Sequence, residues 1–140
     1  MEHKKILVVD DDENMCFLLG DMIALLGYNV KLAYSGREAK KVIEEGEIDA
    51  IVTDTHMPKE EGGVYITKII LEGNYKLVTL VTSNHAPNHD DEVQRAVENA
   101  KSINGRLGIC MCPYIEKPFS QKGIKETLDK AFGNSAGETI

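Results

Sequence analysis

Ile6-Leu7-Val8-Val9-Asp10-Asp11-Asp12 sets four aliphatic residues directly against three carboxylates. A short continuous apolar run is the mark of a strand buried on both faces, as in a parallel sheet. The acids that follow at once sit at that strand's C-terminal end. Ile51-Val52-Thr53-Asp54 repeats the arrangement with a single acid. Leu77-Val78-Thr79-Leu80-Val81 runs into Thr82, and Tyr114-Ile115-Glu116 into Lys117. In open α/β sheets ligands bind in the crevice beyond the strand ends. Here those ends carry an acidic cluster, a lone aspartate, a hydroxyl and a lysine.

Amphipathic segments alternate with these runs, the pattern of a parallel sheet covered by helices. A first helix is expected over residues 13–26, capped by Asp12 and stopped by Gly27. It turns Met15, Leu18, Leu19, Met22, Ile23 and Leu26 inward at helical spacing. Strand two covers 29–33, and Ser35 then caps a helix carrying Ala39, Val42 and Ile43 that ends near Gly46. Strand three covers 50–53, and a breaker-rich loop over 54–63 separates it from a helix over 64–72. After strand four, over 77–82, a helix buries Val93, Ala96, Val97, Ala100 and Ile103 and stops at Asn104-Gly105. Strand five is expected over 109–116, with Pro113 tolerated at an edge or a strand start. A last helix begins near Ser120 and buries Ile124, Leu128, Ala131 and Phe132.

Right-handed crossovers then favour one α/β fold, a doubly wound five-stranded parallel sheet of order 2-1-3-4-5, the flavodoxin-like topology. In that order the first and third strands are neighbours, so Asp10, Asp11 and Asp54 converge. One domain is expected over residues 1–133, with 134–140 as a C-terminal tail.

A net charge of −7 argues against a nucleic-acid surface, which needs a basic patch. No run approaches the roughly twenty apolar residues of a membrane span. The start, Met1-Glu2-His3-Lys4-Lys5, leads into too short an aliphatic run for a signal peptide. Three cysteines, two of them in Cys110-Met111-Cys112, are not a secreted disulfide framework, so a reducing cytoplasm is expected.

Carboxylates at about 4 Å repel by roughly 4 kcal/mol per pair at an effective dielectric near 20. A hard divalent cation relieves this, and all-oxygen ligands select Mg²⁺ over zinc or copper. Lys117 supplies a second cation and Thr82 a neutral donor. Asp54 is left as a nucleophile able to form an acyl phosphate.

Val8-Val9-Asp10-Asp11, Thr53-Asp54 followed by Met57-Pro58 and Gly62, Thr82-Ser83, and Tyr114-Ile115-Glu116-Lys117-Pro118-Phe119 together resemble the receiver domain of bacterial two-component response regulators. The resemblance implies that Asp54 is the phosphoacceptor, charged by a sensor histidine kinase or a histidine phosphotransfer protein. It implies that Asp11 and Asp54 ligate Mg²⁺ directly, Asp10 through water, and His56 through its backbone carbonyl. Thr82 and Lys117 would contact the phosphoryl oxygens, and Tyr114 would swing inward as Thr82 moves. A cis Lys117–Pro118 peptide would aim the ammonium into the pocket. Such a chain is a signalling module, catalysing only its own phosphotransfer and autodephosphorylation. Its output would pass through phosphorylation-dependent contacts with a downstream protein the sequence does not name, or through a homodimer. With no output domain following, a stand-alone receiver is expected.

The sequence also departs from the pattern. Residues 84–113 form a longer segment than the family usually carries. They are expected to pack beside strand five in a partner or dimer surface that responds to Asp54; the bland reading is an inert cover of the sheet edge. By resemblance, His56 and Asn84 tune how long the phosphoryl group survives, although a loop histidine often is merely solvated. His85, His89, Cys110 and Cys112 suggest a zinc or redox site. Against it, the cysteines are spaced C-x-C, and free cysteines in strands usually behave as small buried hydrophobes. Two other functions stay open: an aspartyl-phosphate phosphatase, which wants a second acid where His56 stands, and a pseudo-receiver that only binds partners.

Overall fold

The computed structural model describes residues 3–84 and 87–133. Five strands, β1 (Lys5–Val9), β2 (Asn29–Ala33), β3 (Ala50–Asp54), β4 (Val78–Ser83) and β5 (Tyr114–Glu116), form one sheet of order 2-1-3-4-5. Every adjacent pair is parallel. The connections are helices α1 (Glu13–Leu25), α2 (Gly36–Glu45), α3 (Gly63–Gly73) and α4 (Asp91–Arg106), and α5 (Gln121–Phe132) follows β5. The expected order is the one observed. The expected tail over 134–140 lies outside the described residues, as does His85.

Each face of the central strands supplies its own core. Ile6 and Val8 of β1 pack with Ile23, Val52, Leu80 and Leu128 under α1 and α5. Leu7 and Val9 point the other way, joining Ile43, Ile51, Ile66 and Ile70 under α2 and α3. This two-faced burial is why β1, β3 and β4 read as near-continuous apolar runs, whereas β2, on an edge, alternates between exposed and half-buried residues before buried Ala33. Helix starts follow their caps. Asp12, Ser35, Asp90 and Ser120 each accept hydrogen bonds from first-turn N–H groups.

Some expected details fail for local reasons. In α1 the core side is Cys16, Leu19, Gly20 and Ile23, while Leu18 is 49% exposed. This helix carries more apolar residues than one face can hold, so spacing alone does not choose among them. Phe132, at the end of α5, is half-buried rather than buried.

The larger correction concerns the approach to β5. Asn104 does not stop the fourth helix; α4 continues to Arg106, and Gly108 at φ +77° makes the turn. The Asn104 side chain is 1% exposed and aims its amide at β4. Thr79 N–H donates to its Oδ1 at 2.8 Å, and its Nδ2 donates to the Thr79 carbonyl at 2.9 Å. These are the two bonds a neighbouring strand would otherwise make, so the edge of β4 is already satisfied at that level. β5 is therefore confined to Tyr114–Glu116, paired with Val81–Ser83, instead of beginning at Ile109. Leu107, Ile109 and Met111 pack against the core without joining the sheet.

Candidate functional site

Strand-end bonds set the site residues in place. Asp10, one residue past β1, donates its N–H to the Ala33 carbonyl of β2 at 3.2 Å. Thr55 N–H reaches the Thr82 carbonyl at 3.0 Å, and Lys117 N–H the Ser83 carbonyl at 3.0 Å. Asp54 and Thr82 are register partners across β3 and β4. The chain thus continues its parallel pairing just beyond each strand and turns the side chains into one crevice. The loop after Asp54 folds back tightly: Gly63 N–H donates to the Thr55 carbonyl at 3.1 Å, and a Cβ on Gly62 would overlap that same oxygen. Arg37, on the first turn of α2, ties the loop down through Glu61 at 3.0 Å.

Lys117 lies between two carboxylates, its Nζ 3.0 Å from Asp10 Oδ2 and 3.2 Å from Asp54 Oδ1. The peptide between Lys117 and Pro118 is cis. Asp10, Asp54 and Thr82 are buried, and Asp11 is exposed at the rim. Oxygens of Asp10, Asp11 and Asp54 lie within 4.8 Å of one another. Asp10 is further fixed by the Asp12 N–H at 3.0 Å, and Asp54 by the Thr55 N–H at 3.0 Å. The Thr82 hydroxyl approaches the Thr53 carbonyl at 3.5 Å.

Three carboxylates around one ammonium leave the pocket short of positive charge. Burial is the main cause that pushes the Asp54 carboxyl up to about 6, and Asp10 adds to it, with Lys117 opposing both. Burial pulls the Lys117 ammonium down, but Asp54 and Asp10 outweigh it and hold it above its ordinary value. Such a donor set, all oxygen and net anionic, fits a hard divalent cation such as Mg²⁺.

A model of the response regulator receiver domain matches residues 6–129. The chain belongs to that family. Phosphorylation and Mg²⁺ binding in an acidic pocket are general to receivers, which act as modules of two-component signalling. This receiver is 34% identical over 130 residues to the transcriptional regulatory protein ZraR of Salmonella typhimurium, covering 93% of the chain but 26% of ZraR. It therefore spans about a quarter of that relative's length. It is 28% identical to the chemotaxis protein CheY-3 of Vibrio cholerae, covering 94% of the chain and 93% of CheY-3. Among solved structures, the receiver domain of an HD domain-containing protein from Pseudomonas fluorescens superposes with a TM-score of 0.77 at 17% identity, over 94% of this chain and 96% of that one. Vibrio cholerae CheY4 gives 0.72 at 22%, over 93% and 99%. At those identities the likeness is one of fold.

Other residues singled out in the sequence fall in different places. Tyr114 opens β5 half-buried, packs beside Val81, Val93 and Val97, and donates its hydroxyl to the Ser83 carbonyl at 3.4 Å. Burial, then Glu116 and Cys112, push its phenol up. The side chain of His56 is not simply solvated. Its Nε2 lies 2.9 Å from Asp90 Oδ2 and its Nδ1 2.7 Å from Glu92 Oε2, joining the loop after Asp54 to the start of α4. The Val93 N–H, against burial and with His56, holds the Asp90 carboxyl low. Nothing in the spacing of Asp90 and Glu92 from His56 reveals this bridge in the sequence. Cys110 and Cys112 are exposed rather than buried, and among the described residues they share no metal-binding group with His89.

Proposed function

We propose that this receiver takes a phosphoryl group from a phospho-histidine donor onto Asp54 in a Mg²⁺-dependent reaction, and signals through protein contacts that depend on it. The observation that carries this reading is the Asp54 carboxylate at the end of β3, with Lys117 Nζ at 3.2 Å and the oxygens of Asp10 and Asp11 close by. Asp54 is the nucleophile. Lys117, already bound by Asp10 and Asp54, is placed to meet a phosphoryl oxygen, and Thr82 lies across from Asp54 in register. Asp10, Asp11, Asp54 and the His56 carbonyl would hold the ion, which when bound offsets charge on the transferring group. Thr82 and Tyr114 are the residues through which phosphorylation would reach α4 and β5. The donor would be a sensor histidine kinase or a histidine phosphotransfer protein. The phosphatase reading is disfavoured because its second acid would stand at His56, whose ring turns to Asp90 and Glu92 instead.

Incubation with Mg²⁺ and acetyl phosphate should add one phosphoryl group, and Asp54→Asn should abolish it. Undiminished labelling of the variant would refute the assignment.

A further inference from the structure

Cys110 and Cys112 stand apart from the phosphorylation chemistry, on the connection between α4 and β5. The third cysteine, Cys16, is their internal contrast. It is fully buried, donates its thiol to the Val8 carbonyl at 3.5 Å, and is pushed up to about 11, first by burial and then by Asp10. Cys110 and Cys112 are both exposed and both free, while Met111 between them is half-buried against the core. The alternation puts the two thiols on the outer side of one short segment. The chain bends at Met111, so the segment is not fully extended. It is pinned at both ends, by Ile109 N–H on the Asn104 carbonyl at 2.9 Å and by Val81 N–H on the Pro113 carbonyl at 2.8 Å. Both cysteines border one open cavity of about 520 Å³, with Ile109 and Met111 as its apolar floor and Lys101 on its wall. That volume lies in the range of small-molecule sites, and the lysine favours an anionic occupant.

We propose that Cys110 and Cys112 form a vicinal dithiol modified by small anionic disulfides. One cysteine, as thiolate, attacks one sulfur of the reagent; the reagent's S–S bond breaks, its other sulfur leaves as a thiolate and takes up the proton the cysteine gave up, and a mixed disulfide forms. The other cysteine then attacks the protein-bound sulfur of that mixed disulfide and expels the second thiol. The protein dithiol is oxidised to a Cys110–Cys112 disulfide and one disulfide reagent is reduced to two thiols. Ring closure across a single residue is strained, and strained, exposed disulfides are the readily reversible ones. The site is therefore reduced at rest and oxidised on challenge.

Glutathione disulfide is the probe. The full chain is exposed to it, free thiols are trapped with an alkylating agent, and peptides are weighed. Wild type should pass through a transient glutathione adduct to a form lacking two hydrogens, joined between Cys110 and Cys112, with Cys16 unmodified until the protein is unfolded. In Cys110→Ser or Cys112→Ser the adduct on the remaining cysteine should persist at least about tenfold longer, because the neighbouring thiol acts at an effective concentration of millimolar or more. Both variants change exposed side chains, and unchanged circular dichroism confirms their folding. Three outcomes overturn the proposal: stable adducts on both wild-type cysteines, equal adduct lifetimes in wild type and variants, or disulfide-linked dimers as the main product.

Discussion

Replacing Asp54 by Asn should stabilise the metal-free protein, and by an amount that depends on pH. Asp54 is pushed from an ordinary 3.8 to about 6 by burial and by Asp10. A carboxyl with a raised folded value contributes its stability below the ordinary value and loses it as pH rises through about 6. At 1.36 kcal/mol for each tenfold in the proton equilibrium, the penalty of carrying ionised Asp54 grows from about half a kcal/mol near pH 4 to about 3 kcal/mol near pH 7.5. Asn keeps the shape without the charge, so the variant escapes that penalty. For a domain of this size the gain corresponds to a melting temperature roughly 5–10 °C higher near neutral pH. Thermal unfolding of both proteins with a chelator, at the two pH values, measures it. A variant less stable than wild type near neutrality, or a difference that does not shrink in acid, would refute the electrostatic account of the pocket.

Asp10→Ala removes the second-largest push on Asp54 while Lys117 remains, so the Asp54 carboxyl should titrate below about 6 in a carbon-detected NMR titration; a value unmoved or higher contradicts the geometry. Asp11→Ala should weaken Mg²⁺ binding severely and Asp10→Ala more mildly, a direct ligand counting for more than one acting through water; calorimetry giving equal affinity for wild type and Asp11→Ala excludes the ligand role. Asn104→Ala leaves the buried N–H and carbonyl of Thr79 without partners, an expected loss of about 2–5 kcal/mol in urea unfolding; a loss below about 1 kcal/mol means water or the chain replaces both bonds. Beryllofluoride with Mg²⁺ should change hydrogen exchange in residues 84–114 if that segment reads the state of Asp54; change confined to the surroundings of Asp10, Asp54 and Lys117 places the output elsewhere.

Much of this architecture is legible in one dimension because a parallel strand buried on both faces has no polar alternation to hide it. β1, β3 and β4 announce themselves as aliphatic runs, and the polar residues that end them are the pocket. The convergence of Asp10, Asp11 and Asp54 follows from strand order alone. What was not legible depends on contacts between distant segments. Asn104 followed by glycine has the local chemistry of a helix stop, and only the unpaired edge of β4 explains why it stays in the helix as a buried partner of Thr79. His56 looks like a loop residue until α4 brings Asp90 and Glu92 to it. Cys110 and Cys112 read as strand residues only if β5 reaches back to Ile109; with β5 confined to Tyr114–Glu116, they lie on the connection before it and are exposed.

The Asn104 amide also gives α4 a fulcrum. Two hydrogen bonds to Thr79 of a buried strand fix the helix near its C-terminal end, whereas its opposite end is held by apolar packing of Val93 and Ala96 and by the exposed His56 contacts. About 20 Å of helix separates Asn104 from Asp91. Over that arm a tilt of only about 3° carries the first turn through roughly 1 Å, enough to make or break a hydrogen bond. Sliding along the axis, by contrast, would break both bonds to Thr79 at once. A swing about Asn104 moves the end beside the loop after Asp54 most and dies away towards Asn104, so small displacements of that loop would be felt in the first turns of α4 while the strand beneath stays still.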